Sequence, residues 1–316
     1  MPSNHALAPL GALTVAVIAV SSSAPLIAFA SAPALAIAFW RNGIAAAALT
    51  PVTLGPRRAE FLDVWRGEHR RAGAFCVLAG LALAAHFATW MPSVQLGSVA
   101  TAAALVATQP VWQGLIAAGQ GRRPSLAGWL GIALAVGGAT WATGADFGVS
   151  RQAVFADALA LVGGMAAAVY TALGERARTQ ISTMTYTWIC YGTCAFVLLI
   201  VCLAAQIKII GYEGTTWAAI LAIVLGAQLL GHSMFNYALH RVSATTVSVL
   251  ALIEVPGAAL LAWAWLGQQP RAATLPGLAL ILTGVVVVIL GSRTTRKSSP
   301  GSAALTDAAD LPGPPP

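Results

Sequence analysis

Ten apolar runs, each about as long as a helix needs to cross a bilayer, occupy most of this 316-residue chain. Breaking the sequence at charged or turn-rich clusters places them near 10–29, 33–53, 73–94, 98–119, 125–143, 154–173, 184–205, 216–238, 243–265 and 272–291. A span needs roughly 20 apolar residues to traverse a hydrocarbon core of about 30 Å. In lipid every backbone N–H and C=O must be satisfied within the structure, which a helix does by itself. The fold class that follows is an all-α integral membrane protein of about ten transmembrane helices. Charged residues make up 9% of the chain, against roughly 25% in a soluble domain, and the short loops leave no room for one.

Residues 1–9 read as a short N-terminal tail. No Lys or Arg precedes the first run, so it lacks the basic flank of a signal peptide and is expected to stay as a helix. Residues 293–316 are rich in Pro, Ser, Gly and Ala, cannot bury a core, and are expected to form a disordered cytoplasmic tail. The basic residues set the orientation. With both termini cytoplasmic, the inner loops and tail hold Arg57, Arg58, Arg66, Arg70, Arg71, Arg122, Arg123, Arg176, Arg178, Arg241, Arg293, Arg296 and Lys297, whereas the outer loops hold Arg151, Lys208 and Arg271. The net charge of +7 therefore follows topology and calls for no nucleic acid partner.

An internal repeat is the second constraint. Displacing the chain by 146 residues pairs Gly80 with Gly226, His86 with His232, Pro110 with Pro256, Gly121 with Gly267, Pro124 with Pro270, Gly131 with Gly277, and Gly138 with Gly284. A shared apolar bias does not explain a paired histidine and two paired prolines. The expected organisation is a five-helix repeat over 10–146 and a second over 147–292. Five is odd, so the second copy enters the membrane from the opposite side. Inverted repeats recur in secondary transporters, where two similar halves around a midplane site exchange outward-open and inward-open arrangements.

Polar residues inside the runs are the candidates for solute binding or coupling. Glu254, near the middle of the ninth run, must face the bundle interior, a partner or a proton. It is a candidate proton carrier or partner for a substrate amine, with a structural hydrogen bond as the alternative. Arg41, in the second run, cannot easily shed its charge; it binds a substrate carboxylate, pairs with Glu254, or bonds to helix ends. His86 and Trp90 share a helix face at i,i+4, and His232 and Asn236 hold the matching positions of the other half. They read as cavity lining or a proton relay, or else as helix-to-helix bonds. Gln95, Gln109, Gln113 and Gln228 are candidates of the same kind. Pro110 and Pro256 each remove an N–H from mid-span and are expected to kink their helices, as hinges or by exposing carbonyls to a cavity.

The four cysteines lie in apolar runs without metal-ligand spacing and read as buried thiols. The sequence contains no phosphate-binding loop and no nucleophile motif with a base partner, so no cofactor, metal or ATP-driven chemistry is expected. The expected partners are a small-molecule solute, the lipid bilayer and, as a candidate coupling ion, protons; the sequence specifies no oligomeric state.

Taken with the ten helices in two inverted halves, Phe39-Trp40-Arg41 in the second run, the stretch from Glu254-Val255-Pro256 to Gly267, and Leu278-Ala279-Leu280-Ile281-Leu282-Thr283-Gly284 resemble the EamA group of the drug/metabolite transporter superfamily. The resemblance spans roughly 10–291. It implies a plasma-membrane secondary carrier, often an exporter of amino acids or related metabolites, with its cavity between the halves. That family commonly places a glutamate after the glycine ending the fourth and ninth helices; here Arg122 follows Gly121 and Gln268 follows Gly267. The rival readings are a membrane-embedded lipid-modifying enzyme, which would hold its acid and base groups near an interface, and a non-transporting receptor.

Overall fold

The computed structural model describes residues 4–97, 99–122, 124–143, 151–266 and, in the tenth run, 272, 275–277, 279–280, 282–284 and 286–287. Gly267, Gln268, Pro270 and the expected tail from 293 onward lie outside the described residues. No strand occurs among the described residues, and helix lies at each of the ten expected places. The first span is split into Asn4–Ser21 and Ser23–Phe29, and the second is Ala34–Leu54. The third is the unbroken Arg70–Leu96, and the fourth is divided into Val99–Val106 and Gln109–Gly119. Leu126–Thr143, Arg151–Arg178 and Thr183–Ala204 form the fifth to seventh. The eighth runs through Gly214–Ile223, a π-helical stretch Val224–His232, and Ser233–Ala238. The ninth is Ala244–Ala251 followed by Glu254–Leu266. The second, third, sixth, seventh, eighth and ninth are each long and apolar enough to cross a membrane.

Among the described residues, one helix lies outside the ten runs. Arg58–Arg66 is too short and too charged to span; it turns Val64 inward and leaves Arg58 and Arg66 exposed. Its Glu60 accepts hydrogen bonds from the Ser182 N–H, the Ser182 hydroxyl and the Thr185 hydroxyl at the start of the seventh span. Partial burial pushes the Glu60 carboxyl up, but these bonds and the nearby Arg57 outweigh it and hold the group below its ordinary value. Ser182 and Ser243 cap the seventh and ninth spans by accepting from Thr185 N and Thr246 N.

Packing follows the repeat. The third span lies against the sixth, and the eighth against the first; the fourth contacts the sixth, and the ninth contacts the first. The second and seventh spans pack on each other. Small residues set the close approaches, as expected where lipid removes the hydrophobic drive between helices. A Cβ on Gly80 would sit 2.6 Å from Thr193 Cβ and 2.8 Å from the Cys190 carbonyl oxygen, and one on Gly284 would sit 2.5 Å from the Gly131 oxygen. The four cysteines are free and buried.

Candidate solute cavity

The fourth and ninth spans break for one reason. Pro110 has no N–H to offer the carbonyl of Val106, and Pro256 has none for Leu252. The first half-helix of the fourth span ends at Val106 and the next begins at Gln109; in the ninth span the halves end at Ala251 and begin at Glu254. Shifted by 146, the two breaks coincide within a residue. Each gap lies just before its proline, which sits in the first turn of the following half-helix, where a missing N–H costs least.

The breaks face a cavity of about 90 Å³, room for several waters or a small solute. Its walls come from the first, third, fourth, sixth, eighth and ninth spans. These are three repeat-related pairs, so each half supplies the same set. His86 and Trp90 line it from the third span, His232 and Asn236 from the eighth, Pro110 from the fourth and Glu254 from the ninth. Pro256 is buried beside Val255 and is not among the lining residues.

His86 Nδ1 lies 2.9 Å from the Gly163 carbonyl oxygen. A carbonyl only accepts, so the His86 Nδ1–H is the donor of this bond. The His86 ring stacks on Trp90 at 5.5 Å and 8°. The indole Nε1 of Trp90 and the Asn236 Nδ2 are buried donors with no acceptor among the described residues. Asn236 Oδ1 accepts from the Tyr170 hydroxyl at 2.6 Å, and its backbone carbonyl accepts from Arg178 Nε at 3.1 Å. His232 meets Phe87 edge-on at 5.5 Å. Glu254 is the first residue of its half-helix, where the positive end of the helix dipole favours an anion.

Arg41 stands behind this wall, fully buried. Its Nε donates to Gln228 Oε1 at 2.7 Å, its Nη1 approaches the hydroxyl of the cavity-lining Ser23 at 3.4 Å, and its guanidinium lies 4.2 Å from the Phe87 ring centre. Nη2 has no partner among the described residues, and no carboxylate there comes within 4.0 Å. Gln228 also donates to Asn42 Oδ1 at 2.9 Å, tying the second span to the eighth. Of the other glutamines, Gln109 lines the cavity and donates to Thr171 Oγ1. Gln113 is buried with its Oε1 unpartnered among the described residues. Gln95 bonds Ala34 N and the Ala32 carbonyl, a structural clasp at the start of the second span.

Sequence reasoning missed Ser23, Tyr170 and Ser248 in the lining. For Tyr170 the available signal was the polar pair Tyr170-Thr171 closing an apolar stretch. Towards one end of the bundle, where the family resemblance would place a glutamate, Arg122 instead makes a two-pronged bond to Glu175 at 2.8 and 3.0 Å. That pair clips the fourth span to the sixth.

The fold and the cavity define a multi-pass membrane protein of transporter type, built from two repeats. The chain belongs to the EamA-like transporter family, whose model matches residues 6–144 and again 154–290. Members of that family are transporters rather than enzymes. One solved crystal structure superposes over 93% of this chain and 99% of its own with a TM-score of 0.74 at 20% identity, a likeness of fold alone. No curated protein sequence matches the chain.

Proposed function

We propose that this protein is a secondary carrier that exports a small polar metabolite, an amino acid or a close relative, across the plasma membrane by alternating access, with both termini cytoplasmic. The observation that carries this reading is the cavity at the two helix breaks, walled by three repeat-related pairs of spans. Two similar halves around one cavity are what alternating access requires, because each arrangement has a near-mirror of similar energy. Trp90 and Asn236 offer donors to a solute carboxylate, Arg41 adds a positive field through Ser23, and Glu254 suits a solute amine or a proton. His86 and His232 flank the same space, and Pro110 and Pro256 mark the hinges.

Counterflow in proteoliposomes tests it: vesicles are preloaded with a mixed amino-acid and metabolite pool, and entry of labelled solutes is followed. Exchange that disappears in the Arg41→Ala, Glu254→Ala double variant supports the reading. Folded protein that exchanges nothing across a broad pool and several pH values overturns it. Unchanged pH dependence in Glu254→Gln removes the proton-carrier role alone.

A further inference from the structure

Trp90 and Asn236 hold equivalent places in the two halves, 146 positions apart. Both line the cavity, and each carries a buried N–H donor that meets no acceptor among the described residues. The two donors differ in kind. An indole can only donate, and the Trp90 ring is held by the His86 ring stacked on it. A carboxamide carries an acceptor as well as a donor, so what Asn236 offers a solute depends on which way its amide is turned. Tyr170, which also lines the cavity, sets that turn. Its hydroxyl donates to Asn236 Oδ1 at 2.6 Å and has no other hydrogen-bond partner among the described residues. In this orientation the groups left over are the N–H bonds of Nδ2 alone. With the amide reversed, one N–H would bond the tyrosine oxygen, and the tyrosine O–H, the other N–H and the amide oxygen would all be stranded, which burial penalises more heavily.

We propose that Tyr170 is a positioning residue that turns the Asn236 amide donor-first, so that Trp90 and Asn236 together select a solute carboxylate and reject the matching carboxamide or amine. A carboxylate accepts on both oxygens and can satisfy the stranded N–H groups of both halves. A carboxamide would set its own NH2 against one of them. Arg41 also favours an anion, but it does so by charge, whichever way Asn236 is turned. The repeat equivalent of Tyr170 is Ala24, which has no hydroxyl; the orienting group therefore stands in the half whose donor is ambivalent, and is missing from the half whose donor is an indole. The inference rests on the cavity being the solute site, and not on whether a solute bound there is carried across.

Full-length protein in detergent is titrated with each standard amino acid, its carboxamide and the amine that lacks the carboxyl group, binding being read from the shift in thermal unfolding; the same compounds then compete in proteoliposome counterflow. Wild type is expected to bind an accepted acid about tenfold or more tighter than its carboxamide, as hydrogen bonds to a charged group imply. In Tyr170→Phe the amide is free to turn, and that ratio falls about threefold or more, with the acid weakened and the carboxamide strengthened. A tyrosine that served packing alone would weaken all three compounds alike, and a preference due to Arg41 would survive its loss. Asn236→Asp keeps an acceptor for Tyr170 but replaces the donors by a carboxyl group, and is expected to lose the preference; helix content checks both variants. Equal binding of acid and carboxamide by wild type, no binding of any acid, or the wild-type ratio in either folded variant overturns the proposal. Acid-selective binding with no exchange overturns the carrier reading alone.

Discussion

Replacing Gly80 by alanine tests the close packing on which the bundle rests. The added Cβ would stand 2.6 Å from Thr193 Cβ, 2.8 Å from the Cys190 carbonyl oxygen and 3.0 Å from Thr193 Cγ2. Two of these are a backbone atom and a Cβ, which move only with the seventh span, so the third and seventh spans must part by several tenths of an ångström or more. Overpacking of this kind costs about 1–3 kcal/mol. Gly192 lies on the opposite side of the comparison: it neighbours Thr193 on the same helix, and its Cβ would meet nothing within 4 Å. There alanine is expected to gain up to about 1 kcal/mol from helix propensity. The two substitutions are chemically identical, so the propensity gain is common to both and they should differ by the packing cost, about 1–3 kcal/mol. Gly226, the repeat partner of Gly80, has its nearest neighbour at 3.5 Å, the Ser22 hydroxyl, so Gly226→Ala is expected to be nearly neutral. Unfolding in mixed micelles of rising SDS content, followed by tryptophan fluorescence and helix signal together, reads all three. If Gly80→Ala and Gly192→Ala fall within 0.5 kcal/mol of each other, at about the scatter of ordinary surface changes, the crossing is not as tight as the backbone places it.

Tyr170→Phe strips Asn236 Oδ1 of its donor inside the bundle and is expected to cost about 1–3 kcal/mol; a cycle with Asn236→Leu that proves additive would show that the two groups do not interact. Arg122→Ala breaks a pair whose arginine is 52% exposed, so a loss of no more than about 1 kcal/mol is expected in the same unfolding assay; a larger loss would mean that the clip between the fourth and sixth spans is far stronger than its exposure allows. Glu60, held below its ordinary value, binds a proton more weakly folded than unfolded. It therefore contributes stability that is complete above the ordinary carboxylate range and lost as pH falls through its own lower value. Glu60→Gln should lower stability at neutral pH and flatten the acid limb of the stability profile; an acid limb identical to wild type would remove Glu60 as its source.

The ten helices were legible because lipid leaves so few ways to satisfy a backbone, and an apolar run of the right length nearly dictates its own structure. The repeat made part of the cavity legible too. His86 with Trp90 and His232 with Asn236 were found as paired positions, and the structure places all four on one wall system. Other features carry little sequence signal. The π-helical stretch Val224–His232 lies in the same aligned block as the unbroken third span, and nothing in its residue types marks the wider turn. Tyr170 is one aromatic in an apolar helix, a pattern that usually means packing or interfacial anchoring. Arg41 was visible as a buried cation, but its chief partner, Gln228, lies 187 positions away, and position 82, the repeat equivalent of Gln228, is alanine.

That last difference bears on how two similar halves divide their work. The π-helical stretch leaves the Gln228 carbonyl accepting from the Tyr191 and Ser233 hydroxyls, at 3.3 Å each, while the Gln228 side chain spans Arg41 and Asn42. A wide helical turn of this kind is unfavourable in isolation and often marks a functional position. Here it is held from both sides, by a seventh-span tyrosine and by a buried guanidinium of the second span. At Ala82 the third span has no amide to make the matching bond, and it runs as ordinary α-helix past His86. The two histidines related by the repeat therefore sit on helices of different hydrogen-bond pattern. His86 is fixed to Gly163 and stacked on Trp90, whereas His232 ends the π-helical stretch and has ring contacts with Phe87 and Tyr170. The two halves are therefore not equivalent around the cavity: the Arg41–Gln228 bond ties the eighth span to the second, and Ala82 offers the third span no equivalent.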